Sequence, residues 1–345
     1  MKFNTYAIVT TFLAALFGAG FIAGKEIQYF FLYDPNLLIV SILIYFTILI
    51  TLSYLTMRIA YVLQAPSFEK LVSKDNKYLQ WFARGLYPAF AICLLVVFFS
   101  GFATLVEETF NIPKIIGSIV VCILVVAISH FGSDSISKLF KYSTPLLTSI
   151  LLVILLTILL TTNNSLASSE QSLNHPMRNQ FLNVILYGLE CYQFSVLMLV
   201  TLGHNALNKQ VITRGALITC LLFSASIFLV ATNLINHGSL IIDSQIPLLD
   251  VVKNHDLTIL TPIYTTILFV GFISVSLSIM FGYISFIKNT FLKNKIKIIT
   301  PLTGLIALIF SQLSFSTLIA IILPIVGIIG FISFILIVSN YLKHK

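Results

Sequence analysis

The sequence predicts an all-α polytopic membrane protein with about ten transmembrane helices. Three observations support this: the composition, the recurrence of long apolar runs, and the placement of basic residues between those runs. Of the 345 residues, 58% are hydrophobic and only 9% are charged, whereas soluble domains carry about 25% charged residues. Lipid is the solvent that suits such a chain, and we expect residues 1–345 to form a single transmembrane domain.

A spanning helix needs about 20 mostly apolar residues. The runs that meet this requirement predict helices at about 5–33, 37–63, 81–109, 113–131, 136–162, 178–205, 209–236, 258–290, 297–313 and 315–341. A polar stretch, 163–177, separates residues 1–162 from residues 178–341, giving two repeats of five helices. Because five is odd, the second repeat enters the membrane inverted relative to the first. The expected architecture is a 5+5 inverted repeat.

Basic residues fall almost entirely on one side of these predicted helices. Sixteen Lys and Arg residues lie in the connections that share a side with both termini, and three lie opposite. Cytoplasmic loops collect such residues, so we expect both termini in the cytoplasm. The same pattern explains the formal charge of +8 and excludes nucleic acid as a partner. The four cysteines lie in apolar runs without a C-x-x-C spacing, which argues against a structural metal site.

The first predicted helix contains an interruption. Gly18, Ala19 and Gly20 are followed by Gly24 and then by Lys25 and Glu26. Glycine weakens a helix, and open backbone at membrane depth is tolerated where it lines a cavity or is buried in protein. The alternative, a small-residue packing face, explains the glycines but leaves the two charges unexplained.

The sixth predicted helix has a similar feature, Gly188 followed by Glu190. A carboxylate at the bilayer centre costs about 2.5–3.5 kcal/mol, so we expect it to have a partner, and Lys25 is a candidate for Glu190 and also for Glu26. Interrupted helices at corresponding places in two inverted halves predict a transporter's central site. We therefore expect helices 1 and 6 to be discontinuous and to face each other.

Two further helices and one connection complete the candidate set. Ser274 and Ser278 lie on a stripe of small residues in the eighth helix, either for tight packing or to offer hydroxyl oxygens to Na⁺. Gly101 in the third helix would let a substrate or a neighbouring backbone approach closely. The long connection at 237–257 is either a short helical cover over an outer vestibule or an ordinary interfacial loop.

With these residues in view, the chain resembles the YkvI family of bacterial membrane proteins. The resemblance rests on the run Gly18-Ala19-Gly20-Phe21-Ile22-Ala23-Gly24-Lys25-Glu26, with weaker matches at Ser100 to Glu108, Pro113 and Ile246-Pro247. That family is similar to the amino acid–polyamine–cation transporters, which have the LeuT-type fold. The resemblance implies a location in the bacterial cell membrane.

The resemblance also implies residue roles. Backbone N–H groups near Ala19 and Gly20 would receive a substrate carboxylate, and the carbonyls of Ala14 and Phe17 would join Ser274 and Ser278 in a sodium site. Proton-driven members use a lysine in the fifth helix, for which Lys141 is the nearest candidate; the alternative is that Lys141 only marks the cytoplasmic end of that helix. In the family a glutamine commonly precedes the signature glutamate and the sixth-helix break is neutral. Here Lys25 and Glu190 occupy those positions. This departure argues against simply transferring a neutral amino-acid substrate from the family to this chain.

The resulting hypothesis is a secondary active transporter of a small organic solute, an amino acid or a related amine, working by alternating access. A gradient of Na⁺ or H⁺ would drive transport, as in a symporter. The alternative is a ligand sensor on a transporter scaffold, like a germinant receptor, without net transport. Neither needs a cofactor or catalytic residues, and the oligomeric state is left open. The predicted substrate site comprises Gly18, Ala19, Gly20, Phe21, Lys25, Glu26, Gly101, Gly188 and Glu190.

Overall fold

The computed structural model describes residues 2–17, 19–73, 77–129, 146, 149–160, 179–255, 260–288 and 295–344. Gly18, Lys141 and the polar stretch 163–177 therefore lie outside the described residues, as do parts of the fifth and eighth predicted helices. Within the described residues the regular structure is helical, apart from a single bridge between Phe3 and Ala206.

The helices follow the predicted apolar runs closely. In chain order they are α1 (Thr5–Leu16), α2 (Ala19–Ala23), α3 (Lys25–Phe31), a 3₁₀ turn (Pro35–Leu37), α4 (Leu38–Leu63), α5 (Phe68–Val72), α6 (Lys77–Phe110), α7 (Lys114–Ser129), α8 (Ser149–Leu160), α9 (Gln180–His204), α10 (Lys209–Asn236), α11 (Gly238–Ile241), α12 (Pro247–Asn254), α13 (Leu260–Lys288), α14 (Ile296–Phe310) and α15 (Phe315–Lys343). Every predicted run thus contains at least one observed helix.

Six of the described helices are individually long and apolar enough to cross a membrane: those within 35–63, 88–110, 180–204, 209–236, 260–284 and 315–343. Four shorter apolar helices, α1, α7, α8 and α14, correspond to other predicted runs. The first predicted helix is divided into α1, α2 and α3. The chain is therefore an all-α, multi-pass membrane protein, while a count of ten spans and the inverted repeat stay predictions.

An apolar surface surrounds the bundle. On α15 the exposed side chains recur every three or four residues, at Ile321, Ile325, Ile328, Ile332 and Ile335. This spacing places them along one face of the helix, and a bilayer is the environment that such a face requires. By contrast, α9 lies inside the described bundle, packed against α1, α4 and α15.

Hydrogen bonds between loops show which loops lie at the same end of the bundle. At one end, the Phe3 N–H donates to the Asn205 carbonyl at 2.8 Å, joining the N-terminal segment to the α9–α10 connection. At the other, the Asp34 N–H donates to Gln180 Oε1 at 2.6 Å and Lys114 Nζ donates to the Leu313 carbonyl at 2.6 Å. This grouping matches the two sides predicted from the sequence. The cytoplasmic location of the end that carries the termini stays a prediction.

Candidate substrate site

The first span is interrupted twice. The helix α1 ends at Leu16, and Phe17 has φ −73° and ψ 74°. After the short α2, Gly24 adopts φ +80° before α3 begins. This left-handed conformation is unfavourable for residues with a Cβ atom. The predicted discontinuity of the first span is confirmed, and Gly24 is the residue whose backbone requires glycine.

Two other helices pack into the bend at Gly24. A Cβ atom built on Gly24 would lie 2.6 Å from Leu248 Cγ in α12, so the missing side chain makes room for Leu248. The buried hydroxyl of Tyr264, in α13, donates a hydrogen bond to the backbone carbonyl of Ile22. A polar backbone group inside the bundle needs such a partner. The bend is therefore a stabilised part of the fold.

The bend places Glu26 opposite α9. Glu26 is 6% exposed, and its Oε2 accepts a hydrogen bond from the Tyr187 hydroxyl at 3.3 Å. Glu190, one turn along α9 from Tyr187, is fully buried and lies within electrostatic range of Glu26. Neither carboxyl oxygen of Glu190 has a hydrogen-bond partner within the described part of the chain. Two buried carboxyl groups, one from the first and one from the sixth predicted helix, thus lie within electrostatic range of each other.

Lys25 faces away from this pair. Its Nζ donates to the Ser244 carbonyl at 2.6 Å, and the acidic groups within its electrostatic range are Asp243 and Glu108. No ion pair joins Lys25 to Glu26 or Glu190 among the described residues, so the predicted pairing is wrong. The physical reason is helical geometry: at 3.6 residues per turn, consecutive side chains project about 100° apart. Lys25 and Glu26 therefore project towards different neighbours, Ser244 and Tyr187.

The predicted break in the sixth span is also wrong. The helix α9 runs unbroken from Gln180 to His204. A Cβ atom on Gly188 would lie 3.0 Å from Ile48 Cγ2, so this glycine serves close packing of α9 against α4. One glycine in a helix costs about 1 kcal/mol relative to alanine, which the packing of a buried helix readily offsets. The candidate site therefore lies between one broken helix and one continuous helix.

Aromatic rings surround the carboxyl pair. Tyr187 lies 5.2 Å from Phe30 and 5.4 Å from Tyr45 between ring centroids, and both tyrosines are almost fully buried. Aromatic faces attract cations, most strongly where water is excluded. Sequence reasoning did not assign a role to Tyr45 or Tyr187. Tyr187 could have been identified from its position three residues before Glu190, because this spacing places both side chains on the same face of a helix.

The other predicted substrate residues lie at varying distances from this centre. Ala19 and Gly20 belong to α2, and Phe21 packs against Phe223 at a centroid distance of 5.0 Å. Phe223 also contacts Tyr45, at 6.2 Å, so Phe21 adjoins the aromatic wall. The backbone N–H groups near Ala19 and Gly20 stay predicted carboxylate ligands.

Gly101 serves packing between helices. A Cβ atom on it would collide with the rings of Phe272 in α13 and Phe315 in α15, which occupy the space beside it. A substrate role for Gly101 stays a prediction.

The predicted sodium ligands are spread over two helices. Ser278 is exposed and its hydroxyl donates to the Ser274 carbonyl at 3.0 Å. Their helix α13 packs against α2, whereas α1, which carries Ala14, packs against α9 and α10. Sodium binding by Ala14, Phe17, Ser274 and Ser278 stays a prediction.

The connection at residues 237–255, named here the cover, contains the short helices α11 and α12. It contacts α3 through Gln28 Nε2, which donates to the Ile241 carbonyl at 2.6 Å, and through the Lys25 bond to Ser244. Of the two alternatives left by the sequence, the short helices agree with the helical cover, and its position over an outer vestibule stays a prediction. Its last residue is His255, whose pKa is lowered by partial burial and, to a smaller extent, by His237.

Comparison with known proteins gives a likeness in fold. No family model matches the chain, and no curated protein matches it by sequence. Its structure is similar to the crystal structure of the Eremococcus coleocola manganese transporter in complex with an aromatic bis-isothiourea substituted compound. The TM-score is 0.55 at 12% identity, over 97% of this chain and 86% of the other. The chain has the fold of a membrane transporter. At this identity the likeness shows the fold alone, and the YkvI resemblance stays a prediction.

The candidate site offers carboxyl groups and aromatic rings as possible contacts for an ion. Among the described residues no group of three or more His, Cys, Asp and Glu side chains is placed to bind a metal ion. The carboxyl pair of Glu26 and Glu190 offers two acidic groups beside aromatic rings. This arrangement is suited to a single positive charge carried by a proton or an organic ammonium group.

Proposed function

We propose that this protein is a secondary active transporter of a small organic solute that carries an amino group, an amino acid or a related amine, working by alternating access. The observation that carries the proposal is the pair of buried carboxyl groups, Glu26 and Glu190. They lie between a broken and a continuous helix, within a bundle that has a transporter's fold.

The charge balance of the pair favours a cationic ligand. An uncompensated carboxylate in the middle of a bilayer is unfavourable by about 2.5–3.5 kcal/mol or more, and Glu190 lacks a hydrogen-bond partner in the described residues. Lys25, the basic residue nearest in sequence, is engaged by the cover. An ammonium group entering between the two carboxyl groups would supply the missing charge, and the tyrosine rings would add cation–π attraction.

A divalent metal substrate is the second candidate, because the structurally similar protein is a manganese transporter. Manganese prefers oxygen ligands in near-octahedral sets. The described residues provide two acidic side chains at this place, and no third His, Cys, Asp or Glu joins them in a metal-binding group. We therefore favour the amine, and we retain Mn²⁺ as a compound to be tested in the same assay.

Uptake by proteoliposomes tests the proposal. We expect the wild-type protein to accumulate at least one labelled amino acid or amine when a Na⁺ or H⁺ gradient is imposed, and expect Glu26→Gln and Glu190→Gln to abolish uptake. Glu107→Gln is the matched control, because Glu107 is an exposed glutamate at the end of α6. Normal uptake by both site variants would remove the carboxyl pair from the mechanism.

Counterflow separates transport from sensing. A transporter exchanges labelled for unlabelled solute across the vesicle membrane without any partner protein. If the wild-type protein binds an amine but supports no counterflow, the sensor alternative replaces the transporter. If Mn²⁺ is taken up and every amine is ignored, the second candidate is the correct one.

A further inference from the structure

Two histidines meet where the cover begins and ends. His237 caps the C-terminal end of α10, and His255 caps the C-terminal end of α12. Their Nε2 atoms lie 2.9 Å apart, although the residues are separated by 18 positions in the chain. This contact closes the base of the cover, and the substrate site does not use it.

The ring of His237 is held in one orientation. It is 8% exposed, and its Nδ1 lies 2.8 Å from the backbone carbonyl of Asn233. Because a carbonyl oxygen only accepts, Nδ1 carries the hydrogen and Nε2 keeps its lone pair in the neutral ring. The lone pair is directed at His255. A backbone carbonyl bound to the far nitrogen is also the usual support of a metal-binding histidine.

We propose that His237 and His255 form a binding site for a borderline divalent cation of the Zn²⁺ class at the base of the cover. Two Nε2 atoms bound to one tetrahedral Zn²⁺ are about 3.3 Å apart, given Zn–N distances of about 2.0–2.1 Å. The observed 2.9 Å therefore needs to increase by a few tenths of an ångström. We expect the ring of His255, which is only partly buried at the C-terminal end of α12, to make this adjustment.

The site is open rather than a closed structural zinc centre. No third His, Cys, Asp or Glu completes a metal-binding group among the described residues, so water would fill the remaining positions. We therefore expect reversible binding. Because the two rings join the ends of the cover, the bound ion would fix the cover over α3, where Gln28 and Gly24 contact it.

Metal titration of the purified full-length protein tests this inference without reference to transport. Zn²⁺ is titrated in competition with a chromophoric chelator, and Co²⁺ binding is followed by its visible absorption. We expect His255→Gln to weaken binding at this site at least tenfold. His344→Gln, near the C-terminus, is the matched control and should bind like the wild type. Mg²⁺ should not compete.

A cysteine variant separates metal binding from a structural role of the ring. Thiolate is also a zinc ligand, so His255→Cys should retain the Zn²⁺ site and bind Cd²⁺ more tightly than the wild type does. Unchanged Zn²⁺ binding in His255→Gln would overturn the proposal, and so would loss of the site in His255→Cys. Either result leaves the proposed transport function intact.

Discussion

The first and sixth spans carry similar sequence features but have different structures. Each contains glycine close to a glutamate, yet the first bends at Gly24 while α9 passes through Gly188 without interruption. At Gly24 the backbone adopts a left-handed φ of +80°, and α12 and α13 pack into the bend. At Gly188 the missing side chain only lets α4 approach. Glycine beside a charge is therefore not sufficient to break a helix.

The difference assigns separate roles to the two spans. The broken span turns Glu26 towards the interior and Lys25 towards the cover. The continuous span fixes Tyr187 and Glu190 on one rigid face opposite Glu26. Substitutions that affect one span and spare the other test this comparison directly.

The largest effect on stability is expected from Gly24→Ala. The new Cβ atom would adopt a left-handed backbone conformation, which costs about 1–2 kcal/mol, and would crowd Leu248, which adds about 1–3 kcal/mol. We expect a fall of about 2–5 kcal/mol in unfolding free energy. Thermal denaturation in detergent, supported by uptake, is the measurement.

The control for this change is Gly85→Ala, since nothing lies within 4 Å of a Cβ atom there. It should be neutral or stabilising by up to about 1 kcal/mol. In a Leu248→Ala background, Gly24→Ala should lose its steric component but keep the backbone component. An equal effect in both backgrounds would contradict the packing assigned to Leu248.

A smaller effect is expected from Tyr264→Phe. The change removes the donor to the Ile22 carbonyl without removing the ring, and a buried acceptor left unpaired costs about 1–3 kcal/mol. Thermal denaturation of this variant should show that loss. Tyr6→Phe, at an exposed position, serves as the control. Equal stability of the two variants would show that the Ile22 carbonyl finds another partner.

The smallest effect is expected from Gly188→Ala. Alanine favours the helix by about 1 kcal/mol, while crowding of Ile48 offsets this gain. We expect a net change within about 1 kcal/mol and retained uptake. Gly188→Ala combined with Ile48→Val should be at least as stable as the wild type. A large loss of stability or of uptake in Gly188→Ala would mean that the sixth span opens at this glycine in another state.

Much of the fold could be predicted from composition and periodicity. The apolar runs locate the helices because a bilayer demands continuous apolar segments, and three glycines within seven residues of the first run revealed its break. That the first span adjoins the sixth followed from matching the two halves. These features depend on local sequence and on the solvent.

The partners of the site could not be predicted, because they come from distant parts of the chain. Tyr264 reaches Ile22 across 242 positions, and Ser244 reaches Lys25 across 219. The pairing of Lys25 was predicted wrongly because charge complementarity ignored the direction in which the side chain projects. The break at Gly188 was predicted wrongly because symmetry between halves does not specify backbone conformation.

Ligand-induced stabilisation tests the carboxyl pair most directly. Wild type, Glu190→Gln and Glu107→Gln are screened by thermal shift against amino acids and amines, with and without Na⁺. A ligand at 100 times its Kd stabilises the folded state by about 2.7 kcal/mol. The account predicts that an amine stabilises wild type and Glu107→Gln but not Glu190→Gln. Equal stabilisation of all three proteins by that amine would contradict it.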